Sequence, residues 1–89
     1  MCKILTLKSY RRVRAIRDEI LTCDNLGRQK YLLKNFINVY KLSVSKSNNR
    51  IVYAEITTLD HYTYSRYGEN ALKYLAQMAY LIWIKEQLK

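Results

Sequence analysis

The sequence predicts a small α+β domain, an antiparallel sheet packed on a basic N-terminal helix and a long C-terminal helix. Three observations carry this. Residues 36–46 and 50–59 are rich in β-branched and aromatic side chains, and Ser47-Asn48-Asn49 separates them as a turn separates two strands. Between Tyr10 and Thr22 apolar residues recur at helical spacing, and residues 68–88 form a longer, more apolar helical run. Two glycines and no proline leave few breaks in regular structure. The 89 residues make a single domain, 1–89. A chain of this size buries about 60–65% of its unfolded surface and folds with little margin.

Taken in order, Cys2–Lys8 is β-prone and reads as a short first strand ending at Ser9, whose hydroxyl can cap the next helix. In that helix Tyr10, Val13, Ile16 and Ile20 share one stripe, flanked by Leu21. Asp24-Asn25-Leu26-Gly27 ends it, with Asn25 or Gly27 as a left-handed cap. Residues 28–35 read as two helical turns.

The hairpin register follows from the side-chain pattern. A three-residue loop pairs Val44 with Val52, Leu42 with Ala54 and Tyr40 with Ile56 on one face, and Lys41 with Glu55 on the other. It places Asn49 in the left-handed conformation and sets Lys46 against Arg50. Asp60–Tyr67 is a connector that adds a third short strand through alternation of Tyr62 and Tyr64.

The last helix carries the run A-L-K-Y-L-A-Q-M-A-Y-L-I-W-I at 71–84. Fourteen residues span about 21 Å, short of the roughly 30 Å membrane core, and Lys73 and Gln77 interrupt them. A helix apolar on nearly every side needs cover on more than one side. One sheet supplies part of it. The surplus at Tyr74, Met78, Leu81 and Trp83 predicts a homodimer interface.

Charge is the main functional signal. The net charge is +9, and residues 1–50 hold twelve of the sixteen Lys and Arg but three of the seven acids. That half therefore carries the whole excess, and the rest is neutral. A single-sign field on one part of a small domain points to a polyanion. Arg11, Arg12, Arg14 and Arg17 lie away from the apolar stripe of the first helix, Arg17 at its margin. Arg14 has Asp18 at i+4, while Arg11 and Arg17 have no acid there. Unpaired guanidiniums match phosphate oxygens through their donor fork. Arg28, Lys30 and Lys34 extend the surface. Lys46 and Arg50 form a like-charge pair at the hairpin tip that a phosphate would relieve. Tyr62, Tyr64 and Tyr67 beside Arg66 offer ring faces for unpaired bases, against the competing reading of a core edge. Tyr10, Tyr40, Tyr74 and Tyr80 sit on apolar stripes.

No catalytic or metal signature is present. Cys2 and Cys23 form no C-x-x-C pair, and His61 is the one histidine, so neither a metal nor another cofactor is expected. Asp60-His61 alone does not supply the base, acid and cation of a nuclease, and the chain is not expected to be an enzyme. The cysteines read as reduced thiols of a cytoplasmic protein, and Ile4–Leu7 is too short for the apolar region of a signal peptide.

Two resemblances add to this reading. Hairpin, turn and then G-E-N-A-L-K-Y-L-A-Q-M-A at 68–79 is similar to the C-terminal half of HicB-type antitoxins, with Asn70-Ala71-Leu72 in place of their E-A-L-like run. This implies a sheet packed on the C-terminal helix and transfers no functional residue. The whole chain, small, basic, proline-free and rich in tyrosine, lysine, asparagine and isoleucine, resembles accessory proteins of T4-like phages. Among them it resembles the TifA type, which inhibits the RNase toxin ToxN and associates with RNA. That resemblance rests on size, composition and charge. It implies a counter-defence inhibitor in the host cytoplasm whose arginine-rich half binds RNA. The function expected is sequence-tolerant RNA binding through phosphates, used to inhibit a toxin or nuclease. The alternatives are a protein-only inhibitor that docks its basic face on an acidic partner, and a small DNA-binding regulator.

Overall fold

The structure is a computed structural model and describes residues 7–87. Three helices and a three-stranded sheet follow in the order α1 (Leu7–Thr22), α2 (Leu26–Lys34), β1 (Val39–Ser47), β2 (Arg50–Thr58), β3 (Thr63–Tyr67) and α3 (Ala71–Gln87). The α+β class is as expected. Residues 2–6 of the expected first strand lie outside the described residues. Leu7 and Lys8 belong instead to α1, so Ser9 sits inside the helix rather than capping it. Leucine and lysine are both strong helix formers, which favours this earlier start.

The α1–α2 corner uses neither expected left-handed residue. Asn25 is extended (φ −88°) and N-caps α2, its side chain accepting a hydrogen bond from the Arg28 N–H at 2.9 Å. The buried Gln29 amide turns back and donates to the Ile20 and Cys23 carbonyls at the end of α1. This satisfies carbonyls that no helical N–H can reach.

The sheet is antiparallel in the order β1-β2-β3. Its register differs from the expected one. Asn48 and Asn49 both have positive φ, 53° and 64°, as a two-residue hairpin turn requires. Ser47 therefore pairs with Arg50 and Lys46 with Ile51, so Lys46 and Arg50 are not opposite each other. Continued without interruption, that turn would set Leu42 against Glu55. A bulge absorbs Val52 and restores the apolar rows, Val44 with Ala54 and Leu42 with Ile56. Glu55 meets Ser43, and Lys41 meets Thr57. A second irregularity at Tyr40 turns Val39 inward and Tyr40 out to solvent. Val52 and Tyr40, both expected on the packed face, are exposed for this reason.

Helix α3 lies across β2 and β3, α2 against β1, and α1 packs on α3 and α2 rather than on the sheet. The core runs through Val13, Ile20, Leu33, Ile56, Leu72, Leu75 and Trp83. Trp83 is 6% exposed, so it is a core residue of its own chain and not a free interface side chain. The Asn38 side chain, also buried, donates to the Ala79 carbonyl at 3.1 Å and ties the entry of β1 to α3. Among the described residues the other face of the sheet carries no helix. By strand alternation it presents Lys41, Ser43, Ser45, Tyr53, Glu55, Thr57, Thr63, Ser65 and Tyr67.

Candidate nucleic-acid interface

The arginines of α1 divide into two kinds. At about 100° per residue, Arg11 projects opposite the Val13/Ile20 stripe, and Arg12 and Arg14 lie on its two flanks. All three are exposed, and among the described residues none has an ion pair or side-chain hydrogen bond. Arg17 is different. Its side chain is 14% exposed and runs into the α1–α3 seam. There it bonds Asp18 at 2.6 Å and Gln77 at 2.7 Å, and its guanidinium lies 4.3 Å from the centre of the Tyr80 ring. The expected Arg14–Asp18 pair is therefore replaced by Arg17–Asp18. Arg17 leaves the phosphate-binding set and becomes a packing residue.

This predicts that Arg17→Ala lowers stability by about 1–3 kcal/mol, the sum of a half-buried cation–π contact and charged hydrogen bonds. In a domain of this size that lowers Tm by more than about 4 °C. Arg17→Lys should not restore it, because an ammonium cannot bond Asp18 and Gln77 while lying flat on the ring. Thermal denaturation of the two variants checks this.

Tyr80 adds a pH dependence. Burial pushes its hydroxyl above the ordinary value of 10.0, a hydrogen bond with Tyr10 adds to this, and Arg17 and Arg14 oppose it. In the unfolded chain Tyr80 ionises near its ordinary value, and in the fold it ionises later. Its contribution is complete below about pH 10 and falls as the pH rises toward the folded value. Denaturation curves above that pH should therefore show a steeper loss for the wild type than for Tyr80→Phe.

The remaining cations do not form one continuous surface. Arg28 is bound to Glu19 at 2.7 Å and bridges α2 to α1. Arg50 is bound to Glu69 at 3.2 Å, where the hairpin tip meets the start of α3. Asp24 lines the same depression as Arg50 and Glu69, so this end of the molecule is electrically mixed. Lys30 and Lys34, one turn apart on α2, line a groove against β1. Lys46 is exposed on β1.

The three tyrosines do not share a platform. Tyr64 packs on the core beneath α3, whereas Tyr67 lies on the open sheet face and is 79% exposed. Successive strand residues face opposite ways, so Tyr64 and Tyr67, three apart, are separated by the sheet. Tyr62 is exposed in the β2–β3 turn. Tyr67 instead meets Tyr53, with ring centres 4.8 Å apart, and the Tyr53 hydroxyl donates to Glu55. That bond raises the Tyr53 hydroxyl above its ordinary value. The sequence reading missed Tyr53. Its signal was present, since Tyr53 alternates with Ala54 and so faces away from the core.

His61 adopts φ 69° in the same turn, and its ring meets that of Tyr40 at 65°, centres 5.9 Å apart. Among the described residues no three His, Cys, Asp or Glu side chains converge on a point. No described helix is long and apolar enough to cross a membrane. Tyr74 and Leu81, 58% and 54% exposed, flank the half-buried Met78 on one side of α3.

No family model, curated protein or solved structure matches the chain.

Proposed function

We propose that this protein binds RNA through its phosphates, across Arg11, Arg12 and Arg14 of α1, and uses the complex to inhibit a toxin or nuclease. The carrying observation is that these three guanidiniums project from one helix with no acid paired to them among the described residues, while Asp18 and Glu19 beside them are occupied by Arg17 and Arg28. Exposed guanidiniums without acid partners suit phosphate oxygens, and phosphate contacts carry no sequence information. The exposed Tyr74 and Leu81, with the half-buried Met78 between them, support a homodimer, and a two-fold axis would repeat the α1 arginines in one particle. A cytoplasmic inhibitor of the phage accessory type fits this reading by size and charge.

The test is purification at low salt, followed by the 260/280 nm absorbance ratio and light scattering after RNase and after DNase. Particles that carry nucleic acid and collapse with RNase alone support the reading. Collapse with DNase alone replaces RNA by DNA, and a protein free of nucleic acid from the start removes the reading.

A further inference from the structure

A second surface lies on a different part of the molecule from the α1 arginines. Among the described residues β1 has one neighbour, β2, so beyond Val39, whose N–H is bonded to the Phe36 carbonyl at 3.1 Å, its other edge presents an open row of backbone donors and acceptors. Beside that edge a groove of about 400 Å³ runs between α2 and β1. Its floor is Leu42 and Val44, which belong to the apolar face of the sheet yet remain half-buried at this margin. Its wall is Lys30, Tyr31 and Lys34 of α2. No acid lines it, and neither lysine has an ion pair among the described residues.

We infer that this groove takes an extended, acidic segment of a partner protein, added as a fourth strand along β1. An open edge pairs with a polypeptide backbone, and no nucleic acid can continue that ladder. An added strand puts alternate side chains over Leu42 and Val44, within reach of Lys30 and Lys34, and the others beside Lys41 on the open face.

Charge selects the occupant. β1 carries Lys41 and Lys46 and no acid, so a second copy of β1 would bring lysines to lysines. Residues 1–6 and 88–89 carry no acid either, and hold Lys3 and Lys89. The complementary strand is therefore one of a partner protein, rich in Asp or Glu, with apolar residues between them. A protein that holds RNA on α1 and an acidic strand on β1 can bring the two together.

The probe is a fluorescent peptide as long as β1, alternating glutamate with valine. Two control peptides accompany it, one with lysine for glutamate and one N-methylated at alternate residues. Expected is saturable binding of the acidic peptide in the micromolar to sub-millimolar range, with amide chemical-shift changes confined to β1 and α2. The double variant Lys30→Glu/Lys34→Glu should weaken it by more than about tenfold, a difference of one decade in Kd, without changing Tm. The N-methylated peptide, which keeps the charge but cannot complete a ladder, should bind at least as poorly. Equal binding of the N-methylated peptide reduces the site to loose electrostatics and overturns strand addition. No binding of the acidic peptide overturns the site. So does loss of RNA affinity in the Lys30/Lys34 variant together with RNA-induced shifts in β1 and α2, which would assign the groove to nucleic acid. Arg11, Arg12 and Arg14 are untouched in this experiment, so it fails or succeeds apart from the α1 reading.

Discussion

Replacing Arg11, Arg12 and Arg14 together by alanine should lower affinity for single-stranded RNA on the order of a hundredfold. At about 1 kcal/mol per lost contact, three contacts give that factor. The salt dependence should flatten as well. Each neutralised phosphate contributes about −0.7 to the slope of log affinity against log salt for a single strand, so the triple variant should be shallower by about 2. The fold should not notice. These side chains are exposed and bond nothing among the described residues, alanine is a good helix former, and Tm should stay within about 3 °C. Filter binding or fluorescence anisotropy across a salt series, beside a melting curve, measures all three quantities. Arg17→Ala is the internal contrast. It should move Tm, because Arg17 sits in the α1–α3 seam.

Trp83→Ala should be the most damaging single change to the fold. The indole is almost fully enclosed by its own chain, and deleting a buried tryptophan costs about 3–5 kcal/mol. Against a total of about 5–15 kcal/mol for a domain, that is a large share. Tm should fall by more than about 12 °C, and by the same amount at every protein concentration. An interface tryptophan behaves differently, since its loss shifts association and makes the change concentration-dependent. Tyr74→Ser/Leu81→Ser supplies that other behaviour. The double variant keeps its monomer melting curve and, if α3 forms the dimer, loses the concentration dependence of its size in light scattering.

Much of the fold was legible because its signals are local. The 3.6-residue stripe of α1 ends at Thr22 as expected, the strands β1 and β2 flank the two asparagines, and Tyr62/Tyr64 alternation announced β3. The hairpin register was not legible. A two-residue turn conflicts with the apolar pattern unless a residue is bulged out. Val52 looks like any other strand valine, and nothing beside it announces that it is skipped. The error is instructive in size. The turn shortened by one residue and the bulge absorbed one, so Leu42, Val44, Ala54 and Ile56 kept their face while their partners moved.

The site was legible in charge and not in geometry. Sequence spacing places Arg11, Arg12 and Arg14 on the outer side of a helix, but Arg17 lies at the margin, where the neighbouring helix decides its role. Gln77 and Tyr80 on α3 capture it from sixty residues away in sequence. Glu19 likewise reaches Arg28 across the α1–α2 corner, and Glu69 reaches Arg50 between elements. Long-range acids of this kind cut the apparent basic patch from nine candidates to a smaller set. That set is the α1 row, the Lys30/Lys34 pair on the β1 groove, and Lys46. The tyrosine platform failed for a similar reason, since Tyr64 and Tyr67 point to opposite sides of one strand and Tyr67 finds Tyr53 instead.

The most direct measurement is the affinity of the wild-type protein for a mixed-sequence single-stranded RNA between about 50 and 200 mM salt. Phosphate binding by three to five cations predicts a straight line of log affinity against log salt with slope about −2 to −3.5, little altered by base composition. No binding at the low-salt end, or an affinity indifferent to salt, would contradict the account.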